Sequence, residues 1–380
     1  MRMLFMAAAP RVNNAGASGS DLRTIAALRD LGHEIDEVWD TDMARRIQHG
    51  NLHYFLELPF EYRKAMVRAL SRKSYDVIRV NQPHGWRAAR WLRNHAPARG
   101  RRPIFVHRSH GFEPHAEETL RRWNRVFHFE QKPLLRRAMN AAMWKLVSQN
   151  SRLIAKYADG HIVSASLDAR FLIERYGVAE DRVAVLPTAP PRDYAETPAP
   201  AMTSDRLRRV LYVGQFAPFK APMIVAEAMK RLAPDYECTW VCAPQHHPEV
   251  RALAGDAVRL PPWTTPEGLR DIFDAHGVFL FPSFFEGFGN VFFEAMSRGL
   301  CVVASDVGGA HDLISHGKNG FLVPPGNAIA VAEAVRTLNL ASATAMSEAA
   351  AATARQWTWD RIAKEMVAFF EHLRTSVSPR

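Results

Sequence analysis

The chain has 380 residues, which is long for one hydrophobic core and natural for two domains of somewhat under about 200 residues each. Hydrophobic residues make up 47% and charged residues 23%, an ordinary soluble globular composition, and no stretch approaches the roughly 18 apolar residues of a spanning helix. The net charge of +10 is uneven: residues 1 to 200 hold 32 Lys and Arg against 21 Asp and Glu, whereas the remainder is close to neutral. The first half therefore fits an acidic partner, such as nucleic acid, an anionic membrane surface or a phosphorylated acceptor, unless its arginines serve solubility alone.

The start, MRMLFMAAAP, reads as a buried first strand and not as a signal peptide, because its apolar core is short and a glycine loop with an amphipathic helix follows directly. In NNAGASGSD, Gly16 and Gly19 precede the helix DLRTIAALRDLGH, and strand, glycine loop and helix is how a Rossmann-like half begins. The fingerprint G-x-G-x-x-G is absent, which disfavours a nicotinamide enzyme. EIDEVW is a second strand and ends in Asp40-Thr41-Asp42, paired carboxylates that could hold a divalent metal on a diphosphate. Further strands are read in YDVIRV and PIFVHRSHGFEPH, the latter running into a loop that carries His107, His110 and His115. Residues 117 to 157 mix basic and aromatic side chains, among them Arg121, Arg122, Trp123, Arg125, Lys132, Arg136, Arg137, Trp144 and Lys145. Such helical segments can lie on an anionic membrane surface or pack on a core.

The stretch from Thr188 to Arg206 is rich in proline and alanine and reads as a hinge, so the domains are set at 1–190 and 207–357, with a linker over 191–206 and a closing helix over 358–380. RRVLYVGQFAPFKAP restarts the strand, loop, helix pattern and carries Gly214, Gln215 and Lys220. The three cysteines, Cys238, Cys242 and Cys301, sit in apolar strand-like runs, as free thiols do in a reducing cytosol; Cys238 and Cys242 lack the spacing and partners of a zinc site. Residues 281 to 326 then concentrate the chemistry. A strand stops at Pro282-Ser283, and Glu286-Gly287-Phe288-Gly289-Asn290 leads into an apolar helix. Glycines let the backbone approach a ligand, and the first amides of the helix lack intrahelical partners, so the loop suits a phosphate. Glu286 and Glu294 offer acceptors only, which beside an anion site fits the hydroxyl groups of a sugar or ribose.

PSFFEGFGNVFFEAMSRGLCVVASDVGG, followed by GKNGFLVPPGN, resembles the signature of the retaining family 4 glycosyltransferases: a Glu, seven residues and a second Glu before a helix, a small-residue turn, a strand and a Gly-Gly loop (here Gly308-Gly309, after Ser305 and Asp306). The resemblance is dense from about 207 to 335 and thinner before 190. It implies an α/β chain of GT-B fold, two Rossmann-like domains facing a cleft, with the closing helix crossing back to the first domain. It further implies a retaining transfer from a nucleotide sugar in the second domain to a hydroxyl of a glycan, lipid-linked or other acceptor in the first, as in the synthesis of cell-surface polysaccharide or glycolipid.

By the same resemblance Glu286 holds donor sugar hydroxyls, Glu294 the ribose, and Lys220 with the amides of Phe288, Gly289 and Asn290 the diphosphate, while Gly287 is a further substrate-binding residue of that loop. His110 faces the sugar, Gly16 belongs to the acceptor-side loop, and Gln215 stands where the family has arginine. Arg259 to Trp263 would surround the base, and with no acidic residue between Arg259 and Pro266 to accept from guanine, uracil is preferred. No metal or other cofactor is then needed, since fixed dipoles and lysine carry the charge, and Asp40 and Asp42 lie in the other half. Thr188-Ala189 departs from the family's Asn-Gly pair and is assigned no function. A nucleotide-sugar 2-epimerase, a GDP-sugar-dependent mannosyltransferase and a non-catalytic sugar-nucleotide sensor remain alternatives. Nucleic acid is not expected, because the basic residues form no binding motif. The expected location is cytoplasmic, peripheral on the inner face of the membrane.

Overall fold

The computed structural model describes residues 1–12, 16–95, 101–128, 134–262 and 264–376. The chain forms two compact units: Met1–Glu118, Glu130–Pro187 and Trp359–Arg380 make the first, and Thr119–Phe129 with Thr188–Thr358 make the second.

The first unit is built on six parallel strands: β1 (Arg2–Met6), β2 (Glu34–Val38), β3 (Val77–Asn81), β4 (Ile104–Arg108), β5 (Gly160–Val163) and β6 (Val183–Val185). Their order is β2-β1-β3-β4-β5-β6. β3, β4 and β5 are buried along their whole length, as parallel strands covered on both faces must be. The chain winds from β1 outward to β2 and then reverses to β3. Connections leaving β1 and β3 therefore diverge, and a crevice opens at their carboxyl ends, the position at which such sheets take ligands.

The second unit repeats the plan with five parallel strands: β7 (Arg209–Val213), β8 (Glu237–Val241), β9 (Val278–Phe281), β10 (Cys301–Ser305) and β11 (Phe321–Val323). Their order, β11-β10-β9-β7-β8, puts the same reversal between β7 and β9. The apolar β9 run VFLF is buried throughout, and its neighbours Phe273, Phe292, Phe293 and Met296 fill one face of the sheet. All three cysteines are buried and unpaired.

The structure places three segments differently from the reading of the sequence. The first helix begins at Gly16, five residues before Asp21, so Gly16 is its opening residue and not part of a loop. Residues 191–206 are packed rather than extended: they hold the short helices Arg192–Glu196 and Ser204–Leu207, and Tyr194 and Arg206 are buried. The buried Arg298 explains the packing, since its guanidinium donates to the carbonyls of Tyr194, Thr197 and Pro198 while bound to Asp274 at 2.7 Å. Residues 119 to 129 belong with the second unit, where Trp123 and Phe127 stack on Phe284 at 4.7 and 5.3 Å between ring centroids. Those two aromatic rings therefore pack against the core of that unit. Lys132 lies outside the described residues. The closing helix, Trp359–Ser376, is part of the first unit, where it packs against the helix Gly16–Asp30 and where Arg374 pairs with Asp76 at 3.0 Å.

Candidate functional site

In the second unit the chemistry gathers at the β7–β9 reversal. The loop after β7 turns through Pro218–Lys220, and the Phe284 amide donates to the Phe219 carbonyl at 2.8 Å, tying that turn to the loop after β9. The link brings the two expected charges together. Lys220 Nζ lies 2.6 Å from Glu286 Oε1, and Ser283 Oγ donates to the same oxygen at 2.7 Å. The side chains are 15% and 7% exposed, so solvent screens the pair only partly. Nζ also lies 5.4 and 5.5 Å from the ring centroids of Phe219 and Phe281, which adds cation–π attraction.

Two glycines make the close packing of this loop wall possible. Gly289 has φ +93°, and a Cβ there would come within 2.4 Å of the Phe281 ring; the helix Asn290–Ser297 starts immediately after it. Gly308 has φ +53°, and a Cβ there would sit 2.6 Å from the Glu286 carbonyl oxygen. Any other residue would force the Gly308-Gly309 turn away from Glu286. The Gly309 amide donates to the Phe288 carbonyl at 3.1 Å, closing the same wall, and Gly287 is buried within it. Phe288 contributes backbone to this wall while its ring packs on Phe292 and Phe293.

Asn290 Oδ1 accepts from Thr188 Oγ1 at 2.8 Å, so the hinge residue to which no function was assigned touches the predicted phosphate-binding helix start. Glu294 is half-buried one turn inside that helix. Burial and then the Glu294 charge raise the pKa of the Tyr194 phenol. Gln215 is exposed in the loop after β7, its carbonyl accepting from the Ala217 amide. Arg259 and its neighbours follow β8, whereas Trp263 lies outside the described residues.

The first unit carries a separate cavity at its own reversal point, of about 130 Å³, lined among others by Ala8, Ser18, Asp21, Asn81, Arg108 and His110. His110 Nε2 lies 3.2 Å from Asp21 Oδ1, and the buried carboxylate also accepts from Arg79 Nη2 and Asn81 Nδ2. Burial alone would raise the Asp21 pKa, but the Arg79 charge, with the hydrogen bonds from His110 and Arg79, holds it well below the usual carboxylate range. An ionised carboxylate can only accept, so His110 bears its proton on Nε2. Burial lowers the His110 pKa despite the opposing Asp21 charge, so the ring is neutral near neutrality and Nδ1 is an acceptor. The other two histidines are held elsewhere: His107 is fully buried against His161 at 3.2 Å, and His115 is bound to Asp168 at 2.7 Å. Gly16 opens the helix whose next residues, Ala17 and Ser18, line the cavity. Asp42 closes a turn by accepting the Trp39 amide at 2.8 Å, a structural use of that carboxylate.

Reading the sequence missed Asp21, Arg79, Ser283, Thr188 and Arg298. Each acts through partners distant along the chain except Ser283, which is three residues from Glu286 and was legible from that spacing.

Residues 208–339 match the family described as glycosyl transferases group 1. A D-inositol 3-phosphate glycosyltransferase of Pseudarthrobacter chlorophenolicus is 31% identical over 226 residues, 53% of this chain and 53% of that protein. A second, of Geodermatophilus obscurus, is 29% identical over 250 residues, 60% of this chain and 53% of that protein. The chain thus spans about half the length of the curated relatives it matches. Among solved structures, sucrose-phosphate synthase of Thermosynechococcus elongatus superposes with a TM-score of 0.71 at 21% identity, covering 99% of this chain and 100% of that one. Anabaena HepE in complex with UDP and glucose gives 0.67 at 18% identity, covering 97% and 98%. At these identities the superpositions speak for the fold alone, an α/β fold of GT-B type. The match to the glycosyl transferases group 1 family thus covers residues 208–339, about a third of the chain.

Proposed function

We propose that the protein is a glycosyltransferase that binds a UDP-sugar at the β7–β9 crevice and transfers the sugar, with retention at the anomeric carbon, to an acceptor hydroxyl. The observation that carries this reading is the Lys220–Glu286 pair beside the Gly308-Gly309 turn and the start of the helix Asn290–Ser297. Lys220 supplies the cation that neutralises a departing diphosphate, and the helix amides supply fixed dipoles for its remaining charge. Glu286 Oε1 is engaged by Lys220 and Ser283, so its other oxygen serves a sugar hydroxyl. Glu294 takes the ribose. With these charges in place the reaction requires no metal or cofactor.

His110, through Nδ1, accepts from a hydroxyl of a ligand in the first unit's cavity. A UDP and glucose complex of a protein of the same fold supports the choice of uracil, and relatives named for inositol 3-phosphate support a sugar-like or phosphorylated acceptor. A glycan or lipid-linked acceptor fits the same hydroxyl chemistry. The test is a thermal-shift screen of nucleotide sugars followed by acceptor-dependent release of UDP. A ligand at 100 times its dissociation constant stabilises the native state by about 2.7 kcal/mol, a change the screen resolves. Stabilisation by UDP-sugars with acceptor-dependent turnover is expected. Conversion of the donor to an altered nucleotide sugar without acceptor would overturn the transferase reading.

A further inference from the structure

The helix Glu113–Phe127 begins in the first unit and ends in the second. Trp123 and Phe127 stand four residues apart and so share one face of it. That face meets Phe284, which is fully buried: the Trp123 ring lies 4.7 Å from the Phe284 centroid with 16° between the planes, and the Phe127 ring 5.3 Å away at 30°. Both rings also crowd Gly326, whose φ is +82°; a Cβ there would sit 2.8 Å from Trp123 Cζ3 and 3.2 Å from Phe127 Cε2. Phe284 is a junction between the charged residues of the donor crevice. Ser283, just before it, donates to Glu286 Oε1, and its own amide donates to the carbonyl of Phe219, the neighbour of Lys220. The Phe285 amide reaches the same carbonyl at 3.4 Å. Interior side chains are packed at crystal-like density, and the void left by a lost ring relaxes only in part. Loss of the stacked rings therefore frees Phe284, and with it the backbone that sets Lys220 against Glu286.

We propose that Trp123 and Phe127 are positioning residues of the donor site: stacked on Phe284, they hold the loops after β7 and β9 in the arrangement that brings Lys220 to Glu286. The inference rests on the donor reading above and adds to it a segment lying some 90 residues before the family match, at 208–339. The effect of the two rings on a bound diphosphate passes through Lys220, so it should vanish once Lys220 is gone. Rings that served stability alone would cost the same in every background.

The experiment is a double-mutant cycle read by calorimetric titration of the full chain with UDP, with urea unfolding of each variant measured alongside. Trp123→Ala/Phe127→Ala should weaken UDP binding about tenfold, inside the roughly 10²-fold that a small misplacement can cost. Lys220→Ala should weaken it at least as much, and the three substitutions together should bind UDP within about twofold of Lys220→Ala alone. Trp123→Phe keeps a stacked ring and should retain the parent affinity within about twofold. Should the double alanine variant not fold, Trp123→Leu, which keeps apolar volume but not the stacked plane, carries the same cycle. Losses that multiply independently, or an unchanged UDP affinity in Trp123→Ala/Phe127→Ala, overturn the inference and leave the donor reading standing. Undiminished UDP affinity in Lys220→Ala overturns the donor reading and this inference with it.

Discussion

Lys220 Nζ and Glu286 Oε1 stand 2.6 Å apart, with the lysine drawn from the turn after β7 and the glutamate from the loop after β9. Each charge partly compensates the desolvation of the other, so one cannot be removed without exposing its partner to a low-dielectric surrounding.

Lys220→Ala should therefore do two things. It should raise the barrier to sugar transfer by on the order of 2 to 4 kcal/mol, through loss of leaving-group stabilisation. It should also lower stability in urea by about 1 to 3 kcal/mol, because the carboxylate loses its strongest partner. Adding Glu286→Gln to that variant should recover stability and leave turnover low. Recovery of turnover instead would show that Lys220 serves only to satisfy Glu286.

Glu294→Ala should weaken UDP binding by about tenfold, the worth of roughly 1.4 kcal/mol for a lost charged hydrogen bond, with little change in folding because the side chain is half-buried on a helix surface. Calorimetric titration with UDP reads this directly. Unchanged affinity would remove Glu294 from the ribose contact.

His110 should be neutral with its proton on Nε2, and imidazole nitrogen chemical shifts measured near pH 7 check it. Asp21→Asn removes the charge that selects this form. The expected result is loss of the single-tautomer signal together with a fall in kcat on the order of 10²-fold, the scale of a mispositioned polar catalyst. A single Nε2-protonated form persisting in the variant would mean that Asp21 does not set the ring's state. Because Asp21 also balances the buried Arg79, the variant's stability must be measured alongside.

Glu113 lines the same cavity, and burial, helped by the Asp168 charge, pushes its pKa up to about 7 from an ordinary 4.5. The folded chain thus holds this proton more tightly than the unfolded chain does. Glu113 stabilises fully below pH 4.5, and its contribution is lost as pH rises toward about 7. That loss is at most about 3 kcal/mol, since each tenfold gain in proton affinity is worth about 1.4 kcal/mol. Glu113→Gln should flatten stability over that window in urea titrations; an unchanged pH profile would show that the carboxyl is already ionised there.

The β strands were legible because parallel strands buried on both faces read as short apolar runs closed by turn residues, as in the run VFLF ending at Pro282-Ser283. Lys220 and Glu286 were legible one by one from motif spacing, but not their ion pair, since 66 residues separate them. The same limit hid Asp21, whose partners Arg79, Asn81 and His110 lie 58, 60 and 89 residues away. It also hid Arg298, which draws the proline-rich 194–198 stretch into the second unit from about 100 residues away. Composition marks that stretch as a linker, because proline and alanine carry no periodicity whether a segment is free or pinned by a distant guanidinium.

A crystal structure of the protein soaked with a UDP-sugar tests the central claim most directly. The diphosphate should lie against Lys220 and the amides that open the helix Asn290–Ser297, with sugar hydroxyls on Glu286. A donor bound in clear density elsewhere, with the Lys220–Glu286 pair intact and untouched, would contradict it.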